Sequence, residues 1–288
     1  MPGIISGLIS MFGWGTSDFL AAKSSRKIGF VLTFFWGQSI SFILALCYFI
    51  FKFRTLNFNN VPKSIFIIII SGFLFMISAL AFYKSLSIGK ISLVGPITAS
   101  WAMITVLLSV LFLKEILTTN QIAAIVLIIV GVILISSDLK EFFQKNKLIL
   151  LVGAKEAITA MFGFGIALFL LTIVVRELGW FIPSFLSRFF ILVFLIFYII
   201  LKKQSLKTEI KPINWIMIIL IGFLDIVAFF AYSVGVSAEY ASIIAPIAAS
   251  SPLVTTILAQ VFLKEKLALS QIFGIIITIS GLILISIK

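Results

Sequence analysis

Histidine does not occur among the 288 residues of this chain, and cysteine occurs once, at Cys47. The first absence removes the commonest metal ligand and the commonest near-neutral proton carrier. It excludes a Ser-His relay and a histidine-built zinc site, and it leaves any proton chemistry to carboxylates or lysine. The second excludes an intrachain disulfide, and Cys47, set in an apolar run, reads as packing. Charge is scarce as well. Only 11% of residues are charged and 62% are hydrophobic, where a soluble domain carries roughly a quarter and about half; the mean hydropathy is +1.28. No G-x-x-x-x-G-K-[ST] phosphate cradle is present, which excludes ATP-driven pumping by this chain, and neither a cofactor-binding motif nor a paired Asp-rich motif occurs. These absences point away from an enzyme. Acidic residues are fewest, 10 against 22 Lys and Arg for a net charge of +12. The basic residues sit in short gaps between apolar runs, where they face water and lipid head groups, so the charge does not indicate nucleic-acid binding.

What the chain has in abundance is long apolar segments. Runs able to cross a bilayer lie near 4–22, 29–51, 64–86, 92–113, 120–137, 149–175, 180–201, 213–235, 240–263 and 269–287. Barrel strands are excluded, because segments such as 65–70 and 122–135 are apolar on every side rather than alternating. The exposed loops, the longest at 53–63, 138–147 and 202–212, leave no room for a soluble domain. The N-terminal segment has no basic region before its apolar run, so it is expected to be the first span rather than a cleaved signal. The expectation is an all-α integral membrane protein of ten transmembrane helices, multi-pass in a plasma membrane or, in a prokaryote, an inner membrane.

The chain repeats itself at an offset of 150 residues without a gap. Of the 138 pairs formed by laying 1–138 on 151–288, 43 are identical, or 31%. Met11-Phe12-Gly13 pairs with Met161-Phe162-Gly163, Gly15 with Gly165, Gly29 with Gly179, and Gly72-Phe73-Leu74 with Gly222-Phe223-Leu224. Pro96-Ile97 pairs with Pro246-Ile247, Ser100 with Ser250, Phe112-Leu113-Lys114-Glu115 with Phe262-Leu263-Lys264-Glu265, Gln121 with Gln271, and Gly131 with Gly281. The units are expected at 1–138 and 151–288, with a linker over 139–150. Each half holds five spans, an odd number, so the second enters the membrane upside down relative to the first. Inverted repeats of this kind are a recurring plan of secondary transporters, whose substrate site lies near the midplane between the halves.

These residues resemble the EamA branch of the drug/metabolite transporter superfamily. The likeness rests on the two five-helix repeats, the first-helix sequence Gly13-Trp14-Gly15 with Asp18-Phe19-Leu20-Ala21-Ala22-Lys23, and the twice-occurring F-L-K-E followed by Gln and Gly. The resemblance implies a ten-helix permease or exporter working without a cofactor, with the first helix, and so Trp14, lining a central cavity. It is specific for fold and broad for cargo, which spans amino acids and nucleotide sugars.

Charges inside spans mark candidate sites, because each costs from a few to more than about ten kcal/mol at the bilayer centre. Asp225 leads: with Phe229 and Tyr232 it forms an i, i+4, i+7 stripe, an acid and two rings suited to a cavity wall, although a buried pair with Arg188 or Lys155 explains it as well. Asp18 shares a face with Met11 and Trp14. Lys155 shares a stripe with Thr159 and Phe162 and could hold an anionic cargo group or snorkel to the interface; Glu156, its neighbour, points about 100° away. Pro96 and Pro246, followed by Thr98, Ser100 and Trp101 in one half and by Ser250 and Ser251 in the other, either start helices or kink them and turn hydroxyls toward a cavity. The polar residues unmatched across the repeat, Asp18 opposite Leu168, Lys155 opposite Ile5, Glu156 opposite Ser6 and Asp225 opposite Phe75, are where cargo choice is expected to reside.

Orientation is read two ways. With a cytoplasmic N-terminus, inside loops and tails carry six basic residues and outside loops fourteen, which by the positive-inside rule argues for external termini; the family resemblance implies internal ones. The reading is a carrier for a small amphiphilic metabolite such as an amino acid, and its expected partners are the lipid bilayer, the cargo and a coupling proton. The alternatives are a nucleotide-sugar or phosphorylated-sugar antiporter, a non-transporting membrane scaffold and a pore.

Overall fold

The computed structural model describes residues 2–56, 58, 61–89, 91–136, 152–206, 212–263 and 267–287. The expected linker at 139–150 lies outside them, as do Lys264 and Glu265 of the second F-L-K-E motif. Among the described residues twelve α-helices follow in order, with one 3-10 turn at Phe53–Thr55: α1 Pro2–Ile28, α2 Phe30–Lys52, α3 Val61–Ile88, α4 Ile91–Ala99, α5 Trp101–Phe112, α6 Thr119–Ser136, α7 Ala154–Leu178, α8 Phe181–Leu201, α9 Pro212–Ala238, α10 Ala241–Ala248, α11 Ser251–Leu263 and α12 Leu269–Ser286. No strand occurs among the described residues. Eight segments there are long and apolar enough to span a membrane, Ala241–Phe262 counting as one, and two shorter apolar segments, Ile97–Phe112 and Thr119–Ile135, make ten spans. Large apolar side chains stand outward, Phe51 at 81% exposure and Ile116 at 82%, a surface stable only in lipid.

Spans four and nine, expected as continuous helices, are each broken in two, and the break falls four residues beyond the proline. At the second break the Ser250 amide donates to Ile247 O (3.1 Å), not to Pro246 O. The Ser250 hydroxyl donates to Pro246 O instead (2.9 Å). The first break follows the same plan: Met103 N–H donates to Ser100 O (3.0 Å), as Leu253 N–H does to Ser250 O (2.9 Å). These tight i to i+3 turns redirect the chain where a hydroxyl can take a carbonyl that the helix no longer uses.

The repeat is visible contact by contact. α1 packs along α9, and its counterpart α7 along α3, so each half's first span lies on the other half's third; α6 and α12 pair with each other. A Cβ at Gly15 would lie 2.6 Å from Ser251 O, and one at Gly165 2.8 Å from Trp101 O. Both crossings are closed by a threonine hydroxyl on the glycine carbonyl, Thr255 on Gly15 O (2.8 Å) and Thr105 on Gly165 O (3.0 Å). Small residues thus let helix backbones touch at equivalent points in both halves. Gly29 and Gly179, with φ of +89° and +80°, turn the chain between the first two spans of each half in a conformation that favours glycine.

The equivalent contacts of the broken spans differ: α4 packs on α6 while α10 hardly meets α12. α10 packs broadly on α5, whereas α4 and α11, their counterparts, barely touch.

Candidate functional site

Where α4 and α11 stand apart, a cavity of about 830 Å3 opens between the two halves. On α1 its lining runs from Trp14 to Lys27, about 20 Å of helix, so it reaches from one face to the middle of a bilayer. The exposed side chains of Lys23, Arg26 and Lys27 line the outer part, on the face opposite the chain start. The walls are aromatic, with Phe34, Phe75, Phe82, Tyr83 and Phe164 among them. The floor is a triangle of rings: Trp14 and Trp101 meet edge to face at 6.2 Å, and Tyr232 lies beneath them at 5.7 and 6.2 Å.

Two carboxylates line the cavity and differ in how they are held. Asp225 Oδ2 accepts from Arg188 Nη1 at 2.6 Å and lies 3.1 Å from the Ser41 hydroxyl. Arg188 is fully buried, also donates to Gln38 Oε1 (2.9 Å), and lies over the Phe229 ring with Cζ 3.9 Å from its centre and over Phe75 at 5.4 Å. A buried guanidinium with one carboxylate, one amide and two ring faces is compensated in a way that a lone charge is not. Asp18 lines the same cavity with neither an ion pair nor a hydrogen bond among the described residues.

Of the residues singled out in the sequence, Trp14, Asp18, Trp101, Asp225 and Ser251 line the cavity. Phe229 and Tyr232 do not: they are 1% and 0% exposed and pack behind the wall and under the floor. Ser250 is buried, with its hydroxyl on Pro246 O, and Ser100 marks the break between α4 and α5 away from the lining. Lys155 and Glu156 also fall outside it. The span expected from 149 begins only at Ala154, which puts both in the first helical turn. There Lys155, Thr159 and Phe162 form an outward, exposed stripe, and Glu156 pairs with Lys84 at 2.8 Å near the surface. The sequence reading passed over Gln38 as a site residue and took Arg188 only as a possible partner of Asp225. Their signal was available: they are equivalent positions of the repeat, polar within apolar spans, and bonded to each other across the pseudo-twofold axis.

The equivalent positions explain the buried aromatics. Ala79, Phe82, Leu86, Gly95 and Thr98 line the open cavity. Their counterparts Phe229, Tyr232, Val236, Ala245 and Ala248 are between 0% and 1% exposed. The positions equivalent to the cavity lining are therefore packed shut under its floor.

Ten spans in two inverted halves around a midplane cavity define the inverted-repeat class of membrane protein. Within it, the chain belongs to the EamA-like transporter family, which matches residues 1–137 and 151–287. Over 136 residues, 46% of this chain, it is 37% identical to the uncharacterized protein MJ1333.1 of Methanocaldococcus jannaschii, and the match covers 95% of that protein. A crystal structure superposes with a TM-score of 0.77 over 99% of this chain and 96% of its own, at 14% identity, and shows the fold alone.

Proposed function

We propose that the protein is a secondary active transporter that moves a small metabolite, such as an amino acid, by alternating access between its inverted repeats. The observation that carries this reading is the pair of equivalent sets of positions, one lining a cavity open to a face and the other packed shut. Exchanging the conformations of the two halves would close the first and open the second.

The cargo site in this reading is the cavity floor. Asp18, unpaired, receives the ammonium group of the cargo or the coupling proton. Asp225, held in place by Arg188, presents its carboxylate to the cavity, and Trp14 and Trp101 give ring faces to the apolar part. Ser251 offers a hydroxyl from the other repeat. Phe229 and Tyr232 join the lining only after the exchange, and Ser100 and Ser250, with Pro96 and Pro246, serve the broken helices that move. A phosphorylated-sugar or nucleotide-sugar cargo is the second reading, favoured by the basic rim of Lys23, Arg26 and Lys27.

Purified protein in liposomes, offered a panel of labelled amino acids and sugar phosphates with and without a pH gradient, tests both. Saturable amino-acid uptake that is faster with the gradient, and that loses its gradient response in Asp18→Asn, is the expected result. Uptake of a sugar phosphate instead transfers the function to the second reading. No uptake of any solute by protein with intact helical circular dichroism sinks the transport reading.

A further inference from the structure

The sealed face is tied by one carboxylate. Glu115, just beyond the end of α5, has a side chain only 1% exposed and uses both oxygens twice. Oε1 accepts from Arg176 Nη2 (2.5 Å) and from the Ala241 amide (2.9 Å). Oε2 accepts from the Ser242 amide (2.9 Å) and from the Ser242 hydroxyl. The two amides open α10, whose N-cap residue, Tyr240, supplies no side-chain cap of its own. Arg176, in the last turn of α7, also reaches Val236 O and Glu239 O near the end of α9 (3.4 Å each). The carboxylate therefore sits on the positive end of α10 and the guanidinium on the negative end of α9, and the pair bridges the break between those spans.

We propose that this Glu115–Arg176 cluster is the latch of the sealed face, made in one conformation and broken in the other; the inference rests on the alternating-access reading. Its position argues for a latch rather than a staple within one rigid unit. The cluster joins the end of α5 to the start of α10, and these are the helices whose counterparts, α4 and α11, have separated over the open cavity. Opening the sealed face by the equivalent movement parts α5 from α10, so the carboxylate must leave both amides. Three of the four bonds come from Ala241 and Ser242 of α10 and the fourth from Arg176, so parting α5 from α10 breaks three of them together. On the open face the repeat carries an arginine at the position equivalent to Arg176, namely Arg26, and it lines the mouth of the cavity. It is the cation in place to latch that face in the opposite state.

The lone cysteine makes the test direct. In a Cys47→Ser background, Gly95→Cys reports on the open cavity and Ala245→Cys on its collapsed counterpart, each labelled by a membrane-impermeant thiosulfonate in detergent micelles, where both faces meet the reagent. With Glu115 intact, Gly95→Cys reacts readily and Ala245→Cys slowly. Adding E115Q is expected to raise the rate at position 245 by about tenfold or more and to lower the rate at position 95, because breaking a buried pair shifts the population toward the opposite state. R176Q, which removes the more exposed partner, acts in the same direction and serves if E115Q does not fold. Unchanged labelling at 245 in folded protein overturns the proposal. So does a rise at both positions, the mark of a structural staple whose loss loosens the whole molecule. These rates need no cargo, so a failure to find transport leaves them readable.

Discussion

The two faces of the molecule are built from the same parts and stand in different states. On one, α4 and α11 are apart, and the half-buried Phe82 and Gly95, with Ala79 and Thr98, line a basic-rimmed cavity. On the other, α5 and α10 are packed, Phe229, Tyr232, Ala245 and Ala248 are shut away, and Glu115 holds the seam. The crossings of each half's first span match on both sides, down to the glycines and their threonine bonds, and the differences gather at the broken spans and the helices that follow them. In the alternating-access reading, such a seam would switch between discrete packings rather than bend continuously.

The largest expected effect comes from truncating equivalent rings. Tyr232→Ala empties a fully buried site and should cost about 3–5 kcal/mol, whereas Phe82→Ala, on a cavity wall, should cost well under half of that. Thermal unfolding in detergent measures both, and equal losses would erase the distinction between the faces. Next come the crossings. Gly15→Val and Gly165→Val should each cost about 1–3 kcal/mol through overpacking, and by similar amounts, since both glycines touch a backbone carbonyl; a large disparity would break the symmetry of the frame. For transport, Asp18→Asn should lower gradient-driven uptake about tenfold, the scale of one charge-assisted contact. The smallest effects belong to the stripe outside the cavity: Glu156→Gln should change stability by under about 1 kcal/mol, as for exposed pairs, and Lys155→Met should leave uptake unchanged.

The frame was legible in the sequence and the state was not. A gapless offset of 150 residues placed Gly15 with Gly165 and Pro96 with Pro246, and the inverted arrangement followed from five spans per half. Matched residues encode what both halves do, so they carry no information on which half is open; Phe229 and Tyr232 were readable as a cavity wall but not as the wall of the closed side. Lys155 and Glu156 were misplaced for a local reason, since 149–153 are apolar enough to extend the span while Gly153, at φ +82°, begins the helix only after itself. Glu115 hid in a different way. In the sequence it was one match of a repeated motif, and only its bonds to Arg176 and to the first amides of α10 reveal a seam. Arg188 was read only as a partner of Asp225 and Gln38 not at all, so their equivalence across the repeat went unused.

The central claim, that the faces open in turn, is tested most directly by spin-label distances at two equivalent pairs, Lys23 with Leu267 across the open face and Ile173 with Leu117 across the sealed one, measured by double electron–electron resonance in liposomes. The account predicts two distances at each pair, with the fraction that is long at one matching the fraction that is short at the other, and a shift of both fractions together in E115Q. A single fixed distance at each pair, or long distances at both at once, as in a pore, would contradict it.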